Sequence, residues 1–406
     1  MPAATIIQLR RDTAANWSSN NPTLAAGEVG YETDTAQIKI GNGTSSWAAL
    51  AYGGPTGPAQ TLVLESYGDG GDGNVTISSG TTTLVRDMYY NNLTLSGTGQ
   101  LQPAGFKVFV AGILDISAAP NGAIQFIGNS GAAATVQTGA AAGAAVGGTT
   151  IGSNFAGGAG ATGPLGAGAQ AAAGGNATPS NGGASGAGGA GGAGNAGGTN
   201  AGGASRAAST SLLPLSIRRY ECDLWRGVAL ITGGAGGPGG SSGGGDGANT
   251  GRGGGGGGAG GGIVAIWANT INRGVGTAAG AIKAVGGFGG NGAAGVSGIT
   301  GGGGGGAGGG GGWIYIQYQT LTGASATNAL DASGGDGGNG GNGIGVGATG
   351  GSGGQGGNGG RITLLQVSTS IGSELNNTLT VAASASGPSG LTGGANSGGV
   401  STRVTL

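Results

Sequence analysis

The sequence predicts a mainly β protein: a spine of short strands, stacked as a β-solenoid or a sandwich, carrying glycine-rich arrays of extended, polyproline II-type helices. Three observations predict it. Glycine supplies 111 of the 406 residues and is concentrated in runs such as 253–258, 301–306 and 308–312. Short, strongly apolar segments of β type interrupt these runs, as they would not in a flexible linker. The C-terminal half also repeats, with strand-like segments beginning at Ile263, Trp313 and Arg361, 50 and 48 residues apart.

The glycine runs set the physical problem. Ordering a backbone costs about 1–2 kcal/mol per residue, and glycine has the most freedom to lose. Glycine has no side chain to bury, so hydrogen bonds between neighbouring chains must offset that cost. A polyproline II helix makes none internally and leaves every N–H and C=O free for a neighbour. Residues 186–194, Gly-Ala-Gly-Gly-Ala-Gly-Gly-Ala-Gly, show the matching period of three. Collagen is disfavoured because Gly-X-Y does not persist and only 11 residues are proline.

Composition excludes several function classes. With 14 Lys+Arg against 15 Asp+Glu, the chain has no basic footprint for nucleic acid. Its low charge and slightly positive mean hydropathy are not those of a disordered chain. Histidine is absent and Cys222 is the only cysteine, which removes an intrachain disulfide, a Cys/His zinc site and a His-dependent triad. Cys222, flanked by Glu221 and Asp223, reads as a packed small hydrophobe. The N-terminus shows no secretion signal, and no stretch approaches a membrane span, so membrane insertion is not expected.

Taken in order, residues 1–54 have ordinary composition, strand-like runs at 5–10 and 37–40, and a short helix capped by Asp12 or Thr13 that runs through Trp17. Gly-Gly-Pro-Thr-Gly-Pro at 53–58 then marks a boundary. Residues 55–130 carry short β segments at 62–64, 75–77, 82–85, 93–95, 107–110, 113–116 and 124–127, separated by turn formers. This spacing favours a solenoid over a sandwich or prism. Residues 131–210 form a Gly/Ala-rich array, and 211–406 the repeat region. In that region second apolar patches at 281–285, 328–332 and 378–382 follow each strand, and 211–231 reads as a divergent unit or cap.

Chemical motifs are weak. Gly-x-Gly-x-x-Gly matches are expected by chance in such a composition, and none of the three lysines, Lys39, Lys107 and Lys283, follows a glycine as a phosphate loop requires. The Asp/Gly stretch at 68–74 reads as a tight turn before a strand, not a calcium repeat. The acid pairs Glu221/Asp223 and Asp331/Asp336 are the only ones near each other in the repeat region, which leaves a polysaccharide depolymerase as a remote alternative. Trp225, Trp267 and Trp313 read as core or interface anchors. Asp336, Asn339, Asn342, Gln355 and Asn358 alternate with glycine and can point outward, so they are candidate contacts to a surface glycan, or simply keep the array soluble. No catalytic, metal or cofactor residue is assigned, and the chain is expected not to be an enzyme.

The ordered motifs of the N-terminal module, Ile7-Gln8-Leu9-Arg10-Arg11-Asp12 through Trp17, Gly27-Glu28-Val29-Gly30-Tyr31-Glu32-Thr33-Asp34, Ile38-Lys39-Ile40-Gly41-Asn42-Gly43, and Trp47 to Tyr52, closely resemble the N-terminal domain of the phage major tropism determinant family. The resemblance covers about an eighth of the chain and implies a homotrimeric virion fibre protein. Arg10, Trp17, Trp47 and Tyr52 would then serve trimerisation or attachment, and the lectin-like receptor domain of that family has no counterpart here. The glycine runs resemble, in composition alone, the distal tip adhesins of some T-even-like phages; snow-flea-type ice-binding proteins share that composition. Together the resemblances imply a bacteriophage tail fibre or adhesin on the virion, with other tail or capsid proteins and a host surface glycan or protein as partners. A head fibre or capsid decoration protein is the alternative. No coiled-coil heptad supports the trimer independently.

Overall fold

A computed structural model describes residues 9–53, 66–135, 137–144, 151, 156–163, 174, 183–194, 203–204, 207–208, 232–245, 251–295, 300–323, 329–345, 347–366 and 400–405. The segments expected at 62–64, 211–231 and 378–382, with Cys222 and Trp225, lie outside these residues. The chain divides into two compact units, Met1–Leu64 and Glu65–Leu406, and the protein is mainly β, as the sequence predicts.

The first unit is a four-stranded sheet with one helix. Its elements are β1 (Arg10–Asp12), α1 (Ala14–Asn20), β2 (Val29–Glu32), β3 (Ile38–Ile40), a 3-10 turn at Trp47–Ala49 and β4 (Tyr52–Gly53). The sheet runs β1-β2-β3-β4, with β1 parallel to β2 and the other pairs antiparallel. Thr13 caps α1 by accepting from the Asn16 amide at 3.3 Å, as its position before the helix suggests. Asn21 ends the helix in the left-handed region, and its side-chain oxygen accepts from the Ala48 N–H at 2.8 Å, tying the helix end to the 3-10 turn. Gly30 is required by close approach, because a Cβ there would sit 2.4 Å from the Trp47 ring.

The second unit is built from two parallel sheets. Its strands are β5 (Asn74–Ile77), β6 (Thr81–Thr83), β7 (Met88–Tyr90), β8 (Asn92–Leu95), β9 (Gln100–Gln102), β10 (Val108–Asp115), β11 (Ile124–Gln125), β12 (Ile263–Asn272), β13 (Ile282–Lys283), β14 (Trp313–Thr322), β15 (Leu330–Asp331), β16 (Arg361–Gln366) and β17 (Val400–Thr405). One sheet runs β17-β16-β14-β12-β10-β8-β5, with β7 also on β10; the other runs β15-β13-β11-β9-β6. The chain alternates between them, apart from the consecutive strands β7 and β8 and β16 and β17, which share one sheet. Each passage through one strand of each sheet adds a coil, which is the stacking logic of a solenoid. Every pairing between these strands is parallel.

The segments expected separately at 107–110 and 113–116 are one strand, β10, broken only by a bulge. Ala111 and Gly112 oppose the single residue Asn269 of β12. On the other side Asn91 separates β7 from β8, and the Asn92 side chain accepts the Ile113 N–H at 2.7 Å. The side chain thus replaces a ladder bond that the bulge removes.

The core lies between the two sheets. Leu93, Leu95, Leu101, Val108, Val110, Leu114, Ile124, Phe126, Val264, Ile266, Ile282, Ile314, Ile316, Leu330 and Ile362 belong to one buried cluster. The opposite face of the long sheet is also buried at Ile263, Ala265, Trp267, Trp313, Tyr315 and Thr363, which explains why these strands read as continuous apolar runs. An aromatic ladder crosses that face: Tyr89 on Phe109 at 4.9 Å, Phe109 on Trp267 at 5.0 Å and Trp267 on Tyr315 at 5.2 Å. Trp267 and Trp313 are therefore core groups.

Beyond the strands the glycine segments pack side by side, and their hydrogen bonds repeat every three residues. Gly255, Gly258 and Gly261 donate to Gly304, Ala307 and Gly310. Gly256, Ala259 and Gly262 donate to Ala132, Asn129 and Phe126, while Gly254 and Gly257 donate to Ala161 and Gly158. The carbonyls of the same segment accept from three further segments, at 140–143, 234–240 and 287–293. Residues 253–262 are thus surrounded by six segments, and 301–312 by six of its own. A period of three is one turn of a polyproline II-type helix.

At most glycine positions this packing leaves no space for a Cβ. One built on Gly257 would lie 1.9 Å from the Gly237 carbonyl oxygen, and Gly257→Ala is expected to cost about 2–3 kcal/mol or more through backbone displacement. Thermal unfolding checks this, with Val275→Ala, at a site 97% exposed, expected to leave the midpoint unchanged. A second prediction concerns acid. The Arg86 guanidinium, followed by the Tyr89 N–H, holds the Asp72 carboxyl below its ordinary value. A depressed carboxyl stabilises the fold above its unfolded-state pKa, and that contribution disappears as pH falls through the folded value. Asp72→Asn should therefore lower stability at pH 7 and flatten its decline on acidification, measured by thermal melts across that range.

Candidate functional site

The first unit concentrates its polar and aromatic side chains in one stack. The Trp17 and Trp47 rings lie 4.1 Å apart and nearly parallel, 13° between planes. The Arg10 guanidinium sits 5.3 Å from the Trp17 ring, and the Lys39 ammonium 5.1 Å from Trp47 and 4.2 Å from Tyr52. All four sequence-predicted residues, Arg10, Trp17, Trp47 and Tyr52, are brought together, but in unequal roles. The tryptophans are 3% and 1% exposed and form the unit's core with Leu24 and Leu50, whereas Arg10 and Tyr52 reach the surface.

Two residues of this stack escaped the sequence reading. Lys39 is buried and donates to the Trp47 carbonyl at 2.9 Å. Glu32 is buried and accepts from the Tyr52 hydroxyl at 3.0 Å and from Thr35. The hydrogen bond to Glu32, with a smaller contribution from burial, raises the Tyr52 phenol above its ordinary pKa. The available signal was the strand Ile38-Lys39-Ile40, whose period of two places lysine on one face and both isoleucines on the other.

In the second unit the glycine segments present a broad exposed face. Successive outward positions in a three-residue helix are three residues apart, about 9 Å along the axis. Asp336, Asn339 and Asn342 are exposed at that spacing and form one row. Beside it runs Phe288, Asn291 and Ala294, joined by bonds of 2.8 Å from Gly289, Gly292 and Gly295 to the carbonyls of Asp336, Asn339 and Asn342. A third row, Ile127, Ser130 and Ala133, follows, with Gly131 and Ala134 donating to Phe288 and Asn291. Gln355 and Asn358 are half-buried on another segment, and the Gln355 side chain accepts from the Ala187 N–H at 3.3 Å. The five candidates therefore divide into one exposed row and a separate, partly engaged pair.

Where this face meets the smaller sheet it forms a groove of about 380 Å³. Gln125, Lys283 and Asp331 come from the sheet, Phe288 and Asp336 from the glycine segments, and Ser130 from the third row. Lys283 and Asp331 pair at 3.8 Å across β13 and β15, and Asp331 also accepts from the Ser333 N–H at 3.0 Å. Of the acid pairs considered from sequence, Asp331 and Asp336 both line this groove, and Glu221/Asp223 lies outside the described residues. Sequence reasoning missed Phe288, whose isolation between Gly-Gly pairs was the signal. The arrangement offers an apolar platform beside hydrogen-bonding groups. Among the described residues, no cluster of three or more acids or cysteines could hold a metal ion, and no helix is long and apolar enough to cross a membrane.

Comparison with known proteins bears on the first unit. No curated protein and no solved structure matches the chain. The family model described as the major tropism determinant N-terminal domain matches residues 7–45, which include Arg10, Trp17, Glu32 and Lys39 of the stack. At residues 7–45, then, the first unit carries a major tropism determinant N-terminal domain.

Proposed function

We propose that this chain is a bacteriophage virion fibre protein, a tail fibre or adhesin that adsorbs to the host surface through its glycine-rich unit. The match of residues 7–45 carries the reading. In it the first unit joins the protein to other virion components and to two further copies of itself, and the second unit meets the host. The rigidity of the second unit supports this role, since an array whose segments are hydrogen-bonded on all sides loses little freedom on binding. The three-residue hydrogen-bond period supports a polyglycine II-type lattice as the source of that rigidity. A homotrimer would present each surface three times, so weak contacts would add through effective concentration. The activity proposed is binding, without cleavage of the receptor.

Immunogold labelling of virions with antibody against residues 232–366 tests the assignment: gold at the ends of tail appendages is expected, and gold spread over the capsid would instead make this a head fibre. In a second test, purified full-length protein should compete with virions for adsorption, with unchanged adsorption at saturating protein counting against host recognition. Sedimentation of the same protein should give three times the chain mass.

A further inference from the structure

The groove at the junction of the smaller sheet and the glycine segments has features that packing does not explain. Phe288 is 53% exposed and Ile127 43% exposed, and both line it. In the described segments 251–262, 286–295, 300–312 and 332–360, Phe288 is the one aromatic side chain. It contributes nothing to the six-neighbour lattice, which is built from backbone, and it is absent from the buried core cluster. An aromatic residue left in water beside a concavity of 380 Å³ has the form of a ligand platform; small-molecule sites span about 300–1,000 Å³.

The polar lining narrows the ligand. Asp331 and Asp336 line the groove with one ammonium, Lys283, which already pairs with Asp331 at 3.8 Å. The groove therefore carries a negative excess and disfavours an acidic ligand. Carboxylates accept hydrogen bonds from hydroxyls, while Ser130, Ser333 and Gln125 can both donate and accept. An aromatic face with flanking acceptors suits a molecule having one C–H-rich face and a rim of hydroxyls.

We propose that this groove binds a neutral hexopyranose unit of a surface glycan, N-acetylated or not. Its apolar face rests on Phe288 and Ile127, and its hydroxyls hydrogen-bond to Asp331, Asp336 and Ser130. The proposal rests on the assignment of the second unit to host binding and names the ligand class and the place.

The test uses the full-length chain in isothermal titration calorimetry with three probes: chitotriose, maltotriose and trigalacturonate. At least one neutral trisaccharide should bind in the millimolar range and trigalacturonate should not. Phe288→Ala should weaken that binding by about tenfold, and Asp336→Ala should weaken it as well, while Val275→Ala leaves it unchanged. Thermal melts of the variants confirm folding. Equal binding by wild type and Phe288→Ala, preference for trigalacturonate, or no heat from either neutral sugar at millimolar concentration overturns the proposal. Adsorption competition separates the two levels. Blocking by wild type and Phe288→Ala alike keeps host binding and removes the groove, whereas sugar binding without blocking keeps the groove and removes the host-binding assignment.

Discussion

Hydrogen bonding between extended glycine segments of the one chain is the constraint on which the second unit depends. Each residue of a three-fold extended helix directs its N–H and C=O sideways, and the segments 253–262 and 301–312 satisfy theirs on six neighbours each. The same closeness that makes those bonds forbids a Cβ at most glycines: one on Gly260 would lie 1.8 Å from the Gly234 oxygen and one on Gly306 2.0 Å from the Gly256 oxygen. Glycine here supplies close approach, and the entropy lost in ordering it is offset by a lattice in which buried backbone groups find partners.

Such a lattice has little register information of its own, because one glycine resembles the next. The β spine provides it. β12 and β14 pair in register from Ile263↔Trp313 to Asn272↔Thr322, and β14 with β16 from Trp313↔Arg361. The bonds continue without a break into the glycine segments, through Trp313 N–H to the Gly262 carbonyl and Arg361 N–H to that of Gly312. Side-chain specificity in the strands, including the Trp267–Tyr315 contact and the Trp313 Nε1–H donating to the Thr363 hydroxyl at 3.0 Å, thereby sets the alignment of segments that cannot set it themselves.

The first unit solves a different problem, that of a small module with little apolar mass. Two tryptophans stacked between cations give it a core, and Lys39 and Glu32 are tolerated inside because each is hydrogen-bonded, to the Trp47 carbonyl and to the Tyr52 and Thr35 hydroxyls. The polar interior fixes the positions of both indoles as well as burying them.

Much of this was legible along the chain. The strand starts at Ile263, Trp313 and Arg361, a helix cap at Asp12 or Thr13 and the three-residue period of the glycine runs all followed from local rules of periodicity, capping and backbone freedom. What sequence alone could not decide depends on which segments become neighbours. Asp336, Asn339 and Asn342 share a face with Phe288, whereas Gln355, in an equivalent glycine context, turns toward Ala187. Lys39, given no role along the chain, is buried against Trp47. The sequence by itself determined that extended glycine segments and a spine of apolar strands would form, because those are properties of individual residues and their spacing. Only the tertiary structure decided which outward positions align into a groove, because neighbours in a lattice of near-identical chains are chosen by the register of a spine many residues away.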